Sequence, residues 1–375
     1  MPKVITIVGT RPEIIKLSRI IPALDKHTEH LLVHTGQNYD YELNQVFFEQ
    51  LGIRNPNYFL EAAGKSATET IANVLLKIDP LLEKLAPDAV LILGDTNSAL
   101  SAIAAKKRKI PVFHMEAGNR SFDERVPEEV NRRIVDHVSD INLVYTEHAR
   151  RYLLAEGLAP DRVIKTGSPM REVLDYYGEK IDASTILQSM GLAAQKYFVV
   201  SAHREENVDD PENLQALVEA LRLLCSTYNM PVIFSVHPRT QKRLEEAKTL
   251  SLPSLVVCSK PLGFFDYVKL QKSALCVISD SGTITEEASI LGFPAVTIRN
   301  AHERPEGMDV GTLVMSGLAP ADVLAAVRTV THQYFEEGVR TSVPTDYAEP
   351  NVSAQVVRLV LSYIGFVNRV VWRQP

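Results

Sequence analysis

Asp95 in Gly94-Asp95-Thr96-Asn97-Ser98 and Glu116 in His114-Met115-Glu116-Ala117-Gly118 each follow a short apolar run, Ala89–Leu93 and Val112–Met115. Such runs read as buried strands, so both carboxylates stand where a strand gives way to a loop. Two acids at neighbouring strand ends should raise each other's pKa and suit proton transfer. Glu128 lies in Pro127-Glu128-Glu129-Val130-Asn131-Arg132, at a helix start, where negative charge is favourable without any chemistry. For Glu128 an acid/base role and a simple helix-start role are both open.

A second group of residues suits anions. Asp280-Ser281-Gly282-Thr283 follows the run Leu275–Ser279 and opens a helix containing Glu286 and Glu287. N–H groups at such a start bind phosphate, and a glycine lets an oxygen approach the backbone. An ordinary N-cap would look the same, but a carboxylate one turn in is also well placed for a ribose hydroxyl. Gly9-Thr10-Arg11-Pro12-Glu13 ends the first strand, with Pro12 suited to a first helical turn. Arg11 there can meet a phosphate, or pair with Glu13 on the surface. His203-Arg204-Glu205-Glu206-Asn207 follows Tyr197–Ser201. His203 there can donate to a phosphate and help a leaving group depart, or serve the backbone alone.

The elements that must position these groups alternate along the chain. Strands are expected at Val4–Val8, His30–His34, Ala89–Leu93, Val112–Met115 and Ile141–Tyr145, with a helix from about Glu13 to Leu24. After the breaker Gly167-Ser168-Pro169 the pattern restarts at Tyr197–Ser201 and continues through Val232–Val236, Leu255–Val257, Leu275–Ser279 and Ala295–Ile298. Short buried strands spaced by helices are βαβ units around parallel sheets. The expected fold is α/β, with two Rossmann-like domains facing a cleft: residues 1–168 carrying the carboxylates and residues 169–350 carrying the anion site. Residues 351–375 form a last helix crossing back onto the first domain. Ligands in such sheets bind outside the carboxyl ends of the strands, where Arg11, Asp95, Glu116, His203, His237 and Ser281-Gly282 stand.

Composition narrows the chemistry. The chain of 375 residues is 45% hydrophobic and 23% charged, with a formal charge of -6. That balance argues against a nucleic-acid surface but leaves room for a local anion pocket. The 3 cysteines are too few and scattered for a disulfide framework or a Cys-rich metal site, and Cys258 and Cys276 read as small core residues. The most apolar stretch, Val356 to Trp372, is interrupted by Arg358 and Arg369, so no membrane span and a cytoplasmic location are expected. The chain has no G-x-G-x-x-G, no Walker A pattern and no H-E-x-x-H, so neither a dinucleotide cofactor nor a metal is expected.

Taken together these residues resemble the non-hydrolysing UDP-N-acetylglucosamine 2-epimerases, a family with the two-domain GT-B fold. The carriers run through the whole chain: Gly9-Thr10-Arg11-Pro12-Glu13, Thr35-Gly36-Gln37, Gly94-Asp95-Thr96, Glu116-Ala117-Gly118, Pro127-Glu128-Glu129 with Asn131-Arg132, His203-Arg204, Asp280-Ser281-Gly282, Glu286-Glu287-Ala288 and Glu303-Arg304-Pro305-Glu306. The resemblance implies that Asp95, Glu116 and Glu128 are the acid/base carboxylates and that His203 lies near the diphosphate. It implies that Arg11, Ser281 and Gly282 bind phosphate and that Glu287 binds the ribose. Arg132, Arg204 and Arg304 would line the site, and Tyr267 would stand against uracil. A UDP-activated 2-acetamido sugar, no cofactor and a homodimer are implied as well. A GT-B glycosyltransferase is the distant alternative.

The chain departs from the family pattern at several places. Thr283 stands where a second glycine is usual, and Glu205 follows His203-Arg204 where a second arginine is usual. The segment between Glu116 and Pro127 is short and lacks a tryptophan, and Gly36-Gln37 is followed by Asn38-Tyr39-Asp40-Tyr41-Glu42-Leu43. These segments, with Asn119-Arg120 and Ser121-Phe122-Asp123, resemble the branch that makes UDP-N-acetyl-L-fucosamine for capsule or O-antigen (lipopolysaccharide) synthesis. The expected substrate is therefore UDP-2-acetamido-2,6-dideoxy-L-talose, with Phe122 and Tyr39 or Tyr41 near the altered sugar pocket. UDP-N-acetylglucosamine is the alternative.

Overall fold

The computed structural model describes residues 1–37, 47–247, 250–301 and 303–373. Tyr39 and Tyr41 lie outside the described residues. The chain divides into two compact units, Met1–Asp175 with Thr345–Pro375, and Tyr176–Pro344.

The first unit is built on a sheet of β1 (Lys3–Val8), β2 (Glu29–His34), β3 (Tyr58–Phe59), β4 (Ala89–Leu93), β5 (Val112–Ala117), β6 (Ile141–Val144) and β7 (Val163–Lys165). Their order is β3-β2-β1-β4-β5-β6-β7, and every pairing is parallel. The second unit repeats the theme with β8 (Phe198–Ala202), β9 (Val232–Val236), β10 (Val256–Ser259), β11 (Cys276–Ser279), β12 (Ala295–Thr297) and β13 (Val314–Met315). Their order is β10-β9-β8-β11-β12-β13, again all parallel. Order reverses beside β1 and beside β8, so β1/β4 and β8/β11 are the switch points that open a crevice at strand ends.

Alternation of side chains decides why these runs are strands. In the second unit Phe198, Val200, Val232, Phe234, Cys276 and Ile278 belong to one core cluster, while Tyr197, Val199, Ile233 and Val277 belong to another. Successive residues point to opposite faces, and helices cover both, so an uninterrupted apolar run is what a central strand needs. Cys276 sits on central β11 and is buried, whereas Cys258 lies on edge strand β10 and is exposed rather than in the core.

Three details differ from the sequence reading. The expected helix at about 13–24 is two helices, Arg11–Leu17 and Ile20–His27. Pro22 has no N–H for the carbonyl of Ser18 and its ring would clash there, so the first helix stops before it. The C-terminal helix, Val352–Val370, is shorter than the expected 351–375. The units divide at Asp175 and Tyr176 rather than at 168 and 169. Gly167-Ser168 is a packed seam inside the first unit: Ser168 N donates to Asp346 O at 3.0 Å, and a Cβ on Gly167 would come within 2.9 Å of Glu349 Cβ. The helix Met170–Tyr176 holds the C-terminal helix through Glu172, which accepts from Ser353 N at 2.8 Å and from Ser353 Oγ.

Candidate active site

At the end of β1 the backbone turns through Gly9-Thr10 into the helix Arg11–Leu17. A Cβ on Gly9 would overlap Ser98 Oγ and lie 2.5 Å from Thr35 Oγ1, so three strand ends meet with no room for a side chain. Arg11 is not spent on Glu13 in a surface pair. Its guanidinium lies 5.6 Å from the centroid of the Phe47 ring. Glu13 folds back as a capping box instead, with Oε2 accepting from Gly9 N (2.5 Å) and Thr10 N (3.1 Å) and Oε1 accepting from Thr96 Oγ1 (2.6 Å). Glu13 thereby ties the Arg11 loop to the Asp95 loop.

Burial pushes the Glu13 carboxyl up to about 7 from an ordinary 4.5, with nearby Asp95 adding to it and the three hydrogen bonds opposing. The native protein therefore binds more protons than the unfolded chain between about pH 4.5 and pH 7, and stability falls as pH rises through that window. Glu13→Gln cannot ionise. Wild type is expected to lose about 2–3 kcal/mol more than the variant between pH 5 and pH 8, read from denaturation at each pH. Parallel pH dependence in the two proteins would refute this.

Asp95, after β4, is held by Arg132: Nε donates to Oδ2 at 2.7 Å. Asn131 Nδ2 donates to the Asp95 carbonyl at 2.9 Å, which brings the start of the helix Glu128–Val138 onto the β4 loop. Glu116, at the end of β5, has φ +60. Lys16 Nζ lies 2.5 Å from Glu116 Oε2, and the Lys16 side chain is only 5% exposed. No motif marks Lys16. The signal was there, a lysine inside the otherwise apolar run Ile14-Ile15-Lys16-Leu17.

Glu128 opens its helix and is partly exposed, while Glu129 beside it is buried. Glu129 Oε2 accepts from Ser121 N and Oγ at 3.1 and 3.0 Å and from Arg132 NH1 at 3.0 Å. Arg11, Asp95, Glu116, Glu128 and Arg132 thus all come at or after the carboxyl ends of the central strands β1, β4 and β5 of the first sheet. Arg120 is buried, pairing with Asp136 and Glu156. Phe122 is exposed, with φ +54, and meets the Tyr152 ring edge-on at 5.2 Å.

In the second unit Asp280 is the centre. Its buried Oδ2 accepts from His203 N (2.9 Å), Arg204 N (2.9 Å) and Asn207 Nδ2 (3.1 Å), and Oδ1 lies 3.1 Å from His203 Nδ1. Burial pushes the Asp280 carboxyl up, but the His203 imidazole, the Arg204 N–H and the Asn207 amide outweigh it and hold it at about 2. One carboxylate after β11 therefore sets the whole His203-Arg204 loop after β8. His237, after β9, caps the next helix, and its ring centroid is 6.0 Å from that of His203.

Ser281 and Gly282 follow Asp280, and Thr283 immediately precedes the helix Ile284–Leu291. A Cβ on Gly282 would lie 2.8 Å from Glu303 Oε1. Glu303 itself holds Arg204 NH2 at 3.3 Å and Arg299 NH1 at 2.6 Å, so these side chains close a small recess shared by Ser281, Gly282 and Arg304. Arg304 is buried 3.7 Å from Glu286. Glu287 accepts from Gln271 Nε2 at 2.6 Å. Tyr267 is half-buried against the core, its phenol pushed up by burial and by the charge on Glu287. Among the described residues no cluster of His, Cys, Asp and Glu could hold a metal ion, and no helix is long and apolar enough to cross a membrane.

Residues 22–361 match the protein-family model described as UDP-N-acetylglucosamine 2-epimerase. The chain belongs to that family. This epimerase chain is 54% identical to the UDP-N-acetylglucosamine 2-epimerase from Rickettsia bellii, covering 100% of both chains with a TM-score of 0.93. It is 34% identical to the Methanocaldococcus jannaschii enzyme solved in complex with UDP-GlcNAc and UDP, covering 96% of this chain and 99% of that one with a TM-score of 0.89. It is also 35% identical to the UDP-2,3-diacetamido-2,3-dideoxy-D-glucuronate 2-epimerase of Pseudomonas aeruginosa, over 87% of this chain and 92% of the other. The epimerase is thus an isomerase of UDP-sugars with a GT-B-like pair of parallel-sheet domains.

Proposed function

We propose that the protein inverts C2 of a UDP-2-acetamido sugar without releasing free sugar. The reading is carried by Asp95 and Glu116 at the ends of adjacent strands β4 and β5. The C2 proton has no neighbouring ring carbonyl to stabilise a carbanion, so direct removal is unfavourable. Elimination avoids the problem. A carboxylate takes the C2 proton as the C1–O bond to UDP breaks, giving a 2-acetamidoglycal. A proton then returns to C2 on the opposite face and UDP re-adds at C1. Inversion needs proton donors on both faces, hence more than one of Asp95, Glu116 and Glu128.

The second unit supplies the groups for UDP. Arg204, Arg304, Ser281, Gly282 and His203, with Arg11 of the first unit, would stabilise the departing diphosphate. Glu287 would take the ribose and Tyr267 the uracil.

We propose UDP-2-acetamido-2,6-dideoxy-L-talose as substrate, giving UDP-N-acetyl-L-fucosamine for capsule or O-antigen synthesis. The departures Thr283, Phe122 and the segment after Gly36-Gln37 support it. Arg120 does not, since Asp136 and Glu156 already hold it. The names of the relatives support the rival, interconversion of UDP-N-acetylglucosamine and UDP-N-acetylmannosamine. NMR time courses in deuterated water with each sugar nucleotide alone test both statements. Deuterium is expected at C2 of the product, with higher kcat/KM on the L-talo substrate. Product without C2 deuterium would sink the elimination mechanism. Preference for the D-gluco substrate would establish the rival, and inertness without an acceptor would indicate a glycosyltransferase.

A further inference from the structure

Asp136 lies about two turns along the helix that Glu128 opens, and it is completely buried. Its Oδ1 and Oδ2 accept from Gly118 N at 3.1 and 3.2 Å, Oδ2 accepts from Arg120 NH1 at 2.7 Å, and Oδ1 lies 2.9 Å from His114 Nδ1. His114 is buried too, and its Nε2 is 2.8 Å from the carbonyl of Gly94. A carbonyl only accepts, so Nε2 donates. One carboxylate therefore holds the chain just beyond Glu116, at Gly118 and Arg120, and lies against the His114 ring just before it, while His114 is tied to the residue before Asp95.

Glu116 needs that grip. A non-glycine residue at φ +60 is strained and persists only where its surroundings fix it. Gly118 follows at φ +81, packed so closely that a Cβ would come within 2.6 Å of Ala149 O. Charge is balanced outward: Arg120 meets Asp136 and forks onto Glu156 at 2.8 and 2.7 Å, and His137 also touches Glu156 at 3.0 Å. A buried ion cluster gains little stability over apolar residues of the same volume. Its geometry, spanning the β4 end, the β5 end and the Glu128 helix, is what apolar packing could not supply.

We propose that Asp136 is a positioning residue for the reaction, fixing the turn that presents Glu116. This rests on the acid/base reading of Glu116. The test is a double-mutant cycle on the full chain. Asp136→Asn is expected to lower kcat about 100-fold, as misplacement on the ångström scale does, with KM and the UDP Kd held within about twofold. Because Asp136 acts through Glu116, Asp136→Asn/Glu116→Gln should be no slower than Glu116→Gln alone, within about threefold. Unchanged kcat in Asp136→Asn, or losses that multiply in the double variant, would overturn the proposal while leaving the acid/base reading intact. Full activity of Glu116→Gln would instead overturn the acid/base reading, and the proposal with it. Should Asp136→Asn fail to fold, His114→Gln makes the same test from the other side of the turn. A loss of about tenfold that does not add to that of Glu116→Gln supports the proposal, and additive losses overturn it.

Discussion

Glu116→Gln is expected to lower kcat by about 10²–10⁴-fold, the usual contribution of a general acid or base. The amide matches the carboxylate in size, so the φ +60 turn and the packing around Gly118 should stand. What disappears is the proton-accepting oxygen and the charge that Lys16 Nζ meets at 2.5 Å. UDP binding should be nearly unaffected, because the groups assigned to the diphosphate, ribose and uracil lie in the second unit apart from Arg11. The discriminating pair of measurements is UDP affinity by calorimetry and C2 deuterium uptake by NMR. A variant that binds UDP and no longer exchanges the C2 proton is the expected result. Asp95→Asn and Glu128→Gln should behave likewise. Near-normal turnover in Glu128→Gln would mean that Glu128 only starts its helix.

Asp280→Asn is expected to destabilise the protein by about 3 kcal/mol and to weaken UDP binding at least about tenfold. Asp280 is fully buried and accepts from three donors in the His203–Asn207 loop, and His203 Nδ1 faces its other oxygen. An asparagine keeps one acceptor oxygen but turns an N–H₂ toward atoms that are themselves donors. The His203-Arg204 loop then loses its anchor, and with it the groups assigned to the diphosphate. The pH dependence has a definite sign. The carboxyl is held at about 2, below its ordinary 3.8, so its stabilisation is present above about pH 4 and is lost as pH falls toward 2. Denaturation of wild type and variant at pH 7 and pH 4 should therefore give the same difference. Equal stability of the two proteins at both values would contradict the central place given to Asp280.

Much of the positioning was readable because it is local. An apolar run followed by Gly-Asp, Glu-Ala-Gly, His-Arg or Asp-Ser-Gly marks a strand end and names the residue that stands there. Short edge strands were not readable. β3 and β13 contain 2 residues each and β7 contains 3, too few for any alternation to register. Adjacent Glu128 and Glu129 carry identical local signals. About 100° of helical phase separates them, and only contact with Ser121 and Arg132 decides that Glu129 is the buried one.

By itself the sequence determined the order of strands and helices, the fold class, and the residue types presented at each strand end, because hydrophobic periodicity and turn chemistry act over a few residues. The tertiary structure alone decided which of those residues act together. Lys16 meets Glu116 across 100 residues of chain, and His203 meets Asp280 across 77. It also placed Asp136, in mid-helix with no local motif, against Gly118 and His114, on either side of Glu116. Such pairings depend on strand order and helix phase, which arise when buried faces find one another and leave no trace in the spacing of residues along the chain.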